Sequence, residues 1–246
     1  MTSTDTRTAL VTGGSRGIGA ATALRLAQDG ADVALTYVQD EDGAREIVQK
    51  IEAYGRRALA LRADSADPEA VPAAVHEAAD TFGRLDILVN NAGIGVLGPI
   101  GSLTPADVDR VLAVNVRAVF LACRAAATRM ERGGRIISVG TALSRRAGGP
   151  GGTLYAMSKS ALAGLTKPLA HELGPRSITV NLVQPGPIDT DLNPADGPYA
   201  AGQRAGTALD RFGTTTEVAS LISYLAGDEA AYITGTEVVV DGGHAA

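Results

Sequence analysis

The sequence is poor in the residues that build disulfides and metal sites, and it has no long apolar run. Its single cysteine, Cys123, cannot form an internal disulfide, which excludes a disulfide-stapled secreted scaffold. The three histidines lie far apart without metal-ligand spacing, so we predict no metal site. Residues 1–7 lack the apolar core of a signal peptide, and no stretch approaches the ~18 uninterrupted apolar residues of a membrane span. We therefore expect a cytoplasmic protein without a membrane partner.

Positive charge is also scarce. The chain has 22 lysine and arginine residues against 27 acidic residues, a formal charge of −5, whereas nucleic-acid-binding domains are usually basic. We therefore predict no nucleic-acid partner. Apolar residues make up 45% of the 246 residues and charged residues 20%, which provides material for a core and no compositional sign of disorder.

Short apolar runs alternate with longer helical segments along the whole chain. The predicted strands are 8–12, 32–37, 58–62, 85–90, 135–139, 178–183 and 237–240, and the predicted helices are 18–28, 41–54, 68–82, 105–130, 155–173 and 216–226. Strands that are apolar throughout and alternate with helices indicate a parallel sheet buried on both faces. We therefore predict an α/β fold with one Rossmann-type domain, residues 1–246, whose doubly wound parallel sheet has about seven strands with helices on both faces.

A glycine-rich turn joins the first predicted strand to the first predicted helix. Residues 12–19 read TGGSRGIG, with glycines at Gly13, Gly17 and Gly19 among them. Glycine lets a backbone turn tightly and approach a pyrophosphate, whose charge the helix N-terminus favours. The spacing differs from the GxGxxG pattern, and an ordinary strand–helix turn is the alternative. Because ligands of such sheets bind beyond the carboxyl ends of the strands, we interpret the turn as a dinucleotide site.

The end of the second strand bears on the choice of cofactor. An acid there would accept a hydrogen bond from the ribose 2′-hydroxyl of NAD and repel the 2′-phosphate of NADP. The strand ends near Tyr37 and no carboxylate follows until Asp40, which fits the first turn of the next helix. Arg16 in the glycine turn is placed to meet a 2′-phosphate, although a solvated surface charge is the alternative. We predict a preference for NADP(H), with NAD(H) as the alternative.

A tyrosine and a lysine lie four residues apart in the segment YAMSK, at Tyr155 and Lys159. This spacing places both on one face of a helix. A nearby ammonium favours the phenolate and is expected to lower the tyrosine pKa, which suits an acid or base for an alcohol–carbonyl couple. The pair alone is a weak signal, since a surface tyrosine beside a solvated lysine gives the same pattern.

Several motifs occur together in order and at the predicted strand ends. They are the glycine turn, residues 90–93 (NNAG), Asn115, the Tyr155–Lys159 pair and residues 185–190 (PGPIDT). In this combination the chain resembles the classical short-chain dehydrogenase/reductase family. Within that family it resembles the branch of the 3-oxoacyl-(acyl carrier protein) reductases. The resemblance runs from Thr8 to Gly243.

The resemblance implies a role for each matching residue. Tyr155 would give or take the proton, Lys159 would hold the nicotinamide ribose, and Asn115 would support a water-linked proton relay. Asn91 and Gly93 would line the adenosine-ribose side, Asp64 would meet the adenine, and the segment 185–190 would contact the nicotinamide. The residues assigned to the cofactor are thus Gly13, Ser15, Arg16, Gly17, Ile18, Gly19, Tyr37, Asp64, Asn91, Gly93, Tyr155, Lys159, Pro185, Gly186, Ile188 and Thr190.

One catalytic position departs from the family pattern. The family has a serine thirteen or fourteen residues before the tyrosine, and here Thr141 lies fourteen residues before Tyr155 while Ala142 lies thirteen before it. Threonine supplies the same hydroxyl donor. We therefore expect Thr141 to be the fourth catalytic residue, beside Tyr155, Lys159 and Asn115. Segment 190–212, rich in Ala, Gly and Pro between Leu192 and Asp210, is expected to be a substrate lid.

Three functions fit these residues. The first is an NADPH-dependent reductase of a small carbonyl substrate, acting in reverse as a secondary-alcohol dehydrogenase. The second is a 3-oxoacyl-thioester reductase, for which Arg129, Arg132 and Arg135 would provide an acyl-carrier docking patch, with ordinary helix-end charges as the alternative. The third is a catalytically weak dinucleotide-binding regulatory or scaffold protein, which only Thr141 supports. Arg145 and Arg146 are expected to be a solvated pair rather than an anion site. The family resemblance implies a homotetramer or homodimer.

Overall fold

A sheet of seven parallel strands lies at the centre of the structure, a computed structural model that describes residues 6–146 and 150–246. The strands are β1 (Thr8–Val11), β2 (Asp32–Tyr37), β3 (Ala58–Arg62), β4 (Leu85–Asn90), β5 (Met130–Val139), β6 (Thr179–Pro185) and β7 (Glu237–Val240). They lie in the order β3-β2-β1-β4-β5-β6-β7, and each neighbouring pair is parallel. The predicted Rossmann-type sheet is confirmed.

Helices cover both faces of this sheet. They are α1 (Gly17–Gln28), α2 (Glu41–Ala53), α3 (Ala70–Phe82), α4 (Pro105–Leu112), α5 (Ala118–Arg129), α6 (Thr153–Leu173), α7 (Ala200–Ala205) and α8 (Thr215–Ala226). Successive side chains of a strand point to opposite faces. Leu10 of β1 therefore joins a core with α3, α5 and α6, whereas Ala9 and Val11 join a second core with α1, α2 and α8.

The order of the strands reverses at β1, which pairs with β2 on one side and with β4 on the other. The connections after β1 and β4 therefore diverge and leave a crevice beyond the carboxyl ends of these strands. Ligands of open α/β sheets bind at such a point. The fold thus brings the glycine turn and the residues after β4, β5 and β6 to one edge.

The helix predicted at 105–130 differs most from its prediction. A π-helical turn, Ala113–Arg117, separates α4 from α5, so that one residue more than usual is accommodated there. α4 begins with a capping box between Thr104 and Asp107, and Pro105 occupies its first turn. Smaller differences concern α3, which begins at Ala70 rather than 68, and β5, which begins at Met130 rather than 135.

The continuous helical stretch Pro105–Arg129 is long and apolar enough to cross a membrane by length and composition alone. Half of its most apolar window is buried inside the structure. Core helices of globular domains pass the same test, and α5 packs its buried alanines and Cys123 against β4 and α3.

Candidate active site

A cleft of about 2190 Å³ opens beyond the carboxyl ends of the strands. Nearly all the predicted site residues line it; the two exceptions are Gly19 and Asn115, which lie behind its wall. The sequence-based expectation that separate strand ends would contribute to one site is therefore realised in the structure. A cleft this size can hold a dinucleotide and a small second ligand.

The glycine turn has the backbone geometry that its sequence suggested. Gly13 and Gly17 have φ angles of +64° and +57°, a region that residues with a Cβ rarely adopt. A Cβ on Gly19 would lie 2.5 Å from Nδ2 of Asn91 and closer still to the carbonyl oxygen of Gly13. Only glycine allows α1 to begin so close to the end of β1, and this brings the N-terminus of α1 to the cleft.

A side chain of β2 and the residue that follows β4 hold the glycine turn in place. The hydroxyl of Thr36 accepts a hydrogen bond from the Gly13 amide at 3.0 Å. The side-chain Nδ2 of Asn91 donates to the carbonyl oxygens of Thr12 and Gly13, at 3.0 and 2.9 Å. The Thr12 hydroxyl accepts a hydrogen bond from the backbone N–H of Asn91. The Asn91 amide group thus supports the turn, a contact that the sequence did not indicate.

The end of β2 carries no free carboxylate. Asp40 is the N-cap of α2, and its side chain accepts a hydrogen bond from the Gly43 amide at 3.1 Å. Asp64, after β3, also lines the cleft and accepts from the Ala66 amide at 2.9 Å. Arg16 is the N-cap residue of α1 and is exposed at the cleft, and within the described part of the chain its guanidinium has no hydrogen-bond or ion-pair partner. This end of the cleft can therefore accept a phosphate.

Tyr155 and Thr141 meet at the other end of the cleft. Tyr155 lies in the first turn of α6, and Thr141 follows β5. Burial raises the pKa of the Tyr155 phenol above its usual value, and a hydrogen bond with the Thr141 hydroxyl opposes part of this rise. We expected the lysine to lower this pKa, and that expectation is wrong for the protein by itself, because burial raises the pKa and only the Thr141 hydrogen bond opposes the rise.

Lys159 is buried one helical turn beyond Tyr155, with 5% of its surface exposed. Its Nζ donates to the carbonyl oxygen of Val139, at the end of β5, at 2.8 Å. Burial lowers its pKa from 10.5 to about 8. A Cβ on Gly93 would lie 2.9 Å from this Nζ, so a larger residue at this position of the loop after β4 would displace the ammonium group. The Lys159 ammonium is thus held by a hydrogen bond to the backbone at the end of β5.

Asn115 lies at the centre of the π turn and is fully buried. Its side chain forms a reciprocal pair with the backbone of Ile94, each hydrogen bond being 2.9 Å long. Its Nδ2 also donates to the hydroxyl of Ser158, which in turn donates to the carbonyl oxygen of Tyr155. The π turn and Ser158 were not foreseen from the sequence. They join the loop after β4 to the helix that carries the tyrosine.

The segment after β6 closes the cleft from the side opposite the glycine turn. A Cβ on Gly186 would lie 2.5 Å from the Cβ of Asp241, so glycine is required where this segment crosses the chain after β7. Ile188 is buried and forms an isolated bridge with Gly213. A Cβ on Gly17 would lie 3.7 Å from the methyl group of Thr190, so this segment packs close to the glycine turn. Pro185, Gly186, Ile188 and Thr190 all line it, as predicted.

The predicted lid, 190–212, contains the short helix α7 and is hydrogen-bonded to the residues that follow β7. Asn193 and Gln203 form a reciprocal amide pair with both hydrogen bonds at 2.9 Å. Leu209 donates from its amide to the carbonyl oxygen of Gly242 at 3.1 Å. Arg146 donates to the carbonyl oxygens of His244 and Gly206, at 2.7 and 3.4 Å. These long-range contacts were not visible in the sequence.

The arginines considered for acyl-carrier docking are all engaged within the fold. Arg129 pairs with Asp80, and Arg132 donates to the carbonyl oxygen of Pro175 at 3.3 Å. Arg135 has 4% of its surface exposed and donates to backbone carbonyl groups. Helix-end and strand-end contacts therefore account for them.

Comparison with known proteins agrees with this geometry. The family model described as enoyl-(acyl carrier protein) reductase matches residues 13–245. A cyclic-di-GMP-binding biofilm dispersal mediator protein of Escherichia coli K12 is 44% identical over 236 residues, 96% of both chains. The 3-oxoacyl-[acyl-carrier-protein] reductase FabG of Staphylococcus aureus Mu50 is 39% identical over 241 residues, 97% of this chain and 98% of the relative.

A solved structure is closer still. A short-chain dehydrogenase from Burkholderia cenocepacia J2315, in complex with NADP, has a TM-score of 0.97 and 54% sequence identity, over 98% of both chains. Its ligand agrees with the NADP(H) preference expected from the sequence. With the family model matching nearly the whole chain and the sequence motifs of the family meeting in one cleft, the chain belongs to the classical short-chain dehydrogenase/reductase family of oxidoreductases.

Proposed function

We propose that the protein is an NADPH-dependent reductase of small ketones, acting in reverse as a secondary-alcohol dehydrogenase. The observation that carries this proposal is the meeting of Tyr155, Lys159 and Thr141 in the cleft that the glycine turn also lines. A phenol, a hydroxyl donor and a cation together suit a carbonyl oxygen that becomes an alcohol.

The residues that line the cleft are chemically suited to bind NADP(H). Gly13, Gly17 and Gly19 leave no side chain between the α1 N-terminus and a pyrophosphate, and the helix N-terminus favours an anion. Arg16 is available for a 2′-phosphate, and Asp40 is occupied as an N-cap. The NADP complex of the Burkholderia relative supports the same choice. When bound, the nicotinamide supplies or accepts the hydride.

In this proposal each residue has a role in moving or holding a proton. Tyr155 donates its phenolic proton to the carbonyl oxygen during reduction, and its raised pKa keeps that proton in place until the oxygen becomes basic. Thr141 orients the phenol and the carbonyl oxygen through its hydroxyl. Lys159 stabilises the resulting phenolate and holds the ribose. Asn115 fixes the π turn and the loop around Ile94, on which a water-linked path to Lys159 would depend.

The test is NADPH oxidation, followed by absorbance, with a panel of ketones. Tyr155→Phe should abolish turnover and leave NADPH affinity nearly unchanged, because the ring remains and only the proton donor is lost. Tyr232→Phe is the matched control, since Tyr232 is fully exposed and lies outside the cleft lining. Persistent turnover in Tyr155→Phe would refute the assigned role, and a higher efficiency with NADH would refute the cofactor preference.

A 3-oxoacyl-thioester reductase is the second candidate. The FabG relative and the family model favour it. The contacts of Arg129, Arg132 and Arg135 within the fold give no support to an acyl-carrier docking patch at these residues. Measuring kcat/KM for acetoacetyl-coenzyme A and for simple ketones would distinguish the two, since only an acyl-thioester reductase should strongly prefer acetoacetyl-coenzyme A.

A nucleotide-binding regulatory protein is the candidate from another class. The name of the Escherichia coli relative and the threonine at position 141 are the observations that favour it. Titration calorimetry with cyclic di-GMP and with NADPH would test it. Binding of either nucleotide without turnover of any carbonyl compound would support this candidate over the enzyme.

We also propose that the chain assembles into a homotetramer or homodimer and works in the cytoplasm on a small-molecule substrate. Phe120 on α5 and Met157 on α6 are about half exposed, and exposed large apolar side chains favour association between copies. A mass near that of one subunit in light scattering would contradict the assembly.

A further inference from the structure

The outer part of the cleft combines apolar side chains with a particular arrangement of charge. This outer part is formed by the loops after β4 and β5 and by the lid. Leu97, Leu192 and Tyr199 belong to these segments, and their exposed fractions are 66%, 75% and 74%. Isolated exposed apolar residues are ordinary in proteins, but three on the rim of one functional cleft indicate a surface that a ligand covers.

The positions of these three side chains relate them to the catalytic tyrosine. A Cβ on Gly95 would lie 3.7 Å from the Tyr155 ring, and Gly98 donates to the carbonyl oxygen of Gly151 at 2.9 Å, so Leu97 lies on a loop fixed beside that ring. Leu192 lies within a turn closed by hydrogen bonds between Thr190 and Asn193.

Tyr199 is the N-cap residue of α7, whose Gln203 pairs with Asn193 of the same turn. The two lid residues are therefore presented together by one internally bonded unit. Both line the cleft that contains the catalytic tyrosine.

The charges in the same segments are not arranged to attract an anion. Arg145 donates to Gln184 Oε1 at 2.9 Å and pairs with Glu237 at 3.4 Å. Arg146 donates to the backbone of the lid and of the chain end. Asp191, beside Leu192, lines the cleft and has no hydrogen-bond or ion-pair partner within the described residues. Its carboxylate adds negative potential at the rim.

From this arrangement we propose that the substrate is an uncharged ketone with an apolar alkyl or aryl substituent, and that Leu97, Leu192 and Tyr199 contact that substituent and determine specificity. Asp191 excludes anionic carbonyl compounds by repulsion. The proposal rests on the proposed ketone reductase function and narrows it to a substrate class.

The first experiment measures kcat/KM with NADPH for a series of unbranched 2-alkanones. Each added methylene should raise kcat/KM about fourfold until the rim is covered, as expected for burial of one methylene. Leu192→Ser and Tyr199→Ser should flatten this dependence, mainly through KM, whereas Leu192→Met and Tyr199→Phe should retain it. Tyr232→Ser, outside the cleft, is the control that should leave the series unchanged.

The second experiment compares ethyl acetoacetate with acetoacetate, which share a ketone and differ in charge. The neutral ester should be the better substrate, and Asp191→Asn should narrow the difference severalfold, more so at low salt. Asp196→Asn is the matched control, because Asp196 is an exposed lid acid outside the cleft lining. Equal use of both compounds would overturn the charge argument.

The outcomes separate the two proposals. If the enzyme reduces ketones but kcat/KM does not depend on chain length, or the serine variants change nothing, the substrate class is refuted and the reductase function stands. If NADPH binds and no carbonyl compound is reduced, the proposed function fails and the substrate class fails with it.

Discussion

Replacing Lys159 with methionine gives a quantitative test of how the site is built. Burial lowers the pKa of this lysine from 10.5 to about 8. At ~1.36 kcal/mol per pKa unit, the charged form is therefore about 3 kcal/mol less favourable in the folded chain than in the unfolded chain. Methionine has a similar length and carries no charge, so the variant lacks this penalty.

The sign of the pH dependence follows from the two pKa values. Below pH 8 the lysine is charged in both states and the full penalty applies. Between about pH 8 and 10.5 the unfolded chain binds more protons than the folded chain, so the stability of the wild type rises with pH. The penalty is about 3 kcal/mol at about pH 6.5 and about 1 kcal/mol at about pH 9.5. Lys159→Met should therefore lose about 2 kcal/mol of its stability relative to wild type across this range.

The assay is urea unfolding followed by circular dichroism, at equal protein concentration and without cofactor. Loss of the hydrogen bond to the Val139 carbonyl destabilises the variant at every pH and cancels from the comparison. Lys50→Met, at an exposed lysine of α2, is the control and should show a constant difference from wild type. A difference between Lys159→Met and wild type that does not change with pH would refute the desolvation argument.

Further variants test the hydroxyl donor, the glycine turn and the link to the π turn. Thr141→Val should move the pH profile of alcohol oxidation to higher pH and lower kcat, because the hydrogen bond that lowers the Tyr155 pKa is lost. Thr141→Ser should preserve the pH profile and kcat of the wild type. If Thr141→Val has the same pH profile as the wild type, Thr141 has no part in the mechanism. Gly19→Ala should weaken NADPH binding at least tenfold in a fluorescence titration, because its Cβ meets the turn backbone, while Gly164→Ala, with open space around it, should leave affinity unchanged. Ser158→Ala should destabilise the protein by about 1 kcal/mol in urea unfolding and lower kcat more than it raises KM; an unchanged kcat would limit Ser158 to a packing role.

The sequence predicted the fold well because local and long-range signals agree in this chain. Short, mostly apolar runs such as residues 85–90 are typical of strands in a sheet buried on both faces, and the glycine turn fixes where α1 begins. The π turn at Ala113–Arg117 was missed because its residues continue the helical pattern on either side. An asparagine inside a long apolar helix was the available signal, since a fully buried amide needs partners that the helix itself does not supply.

The sequence predicted which residues line the cleft, but it predicted less well the contacts that these residues make. Asn91 lines the cleft as expected, yet its amide group is bound to the Thr12 and Gly13 carbonyls. The direction of the Tyr155 pKa was wrong because residue spacing shows which charge is near and not how much water is removed. The contact of Arg146 with the chain end depends on two loops that are far apart in sequence.

The contacts divide the site into a part that fixes the chemistry and a part that is free to vary. Lys159, Asn115 and Asn91 each bind backbone atoms of a neighbouring strand end or loop, so their positions follow from the sheet. Such contacts do not require a particular side chain on the residue that supplies the backbone atom, although Gly19 and Gly93 must stay small beside them. Leu192 and Tyr199, in contrast, contribute exposed side chains from a lid held by its own hydrogen bonds. Substitutions in the lid should therefore alter which ketones are reduced. The kcat with a ketone too small to reach Leu192 and Tyr199 should stay close to that of the wild type.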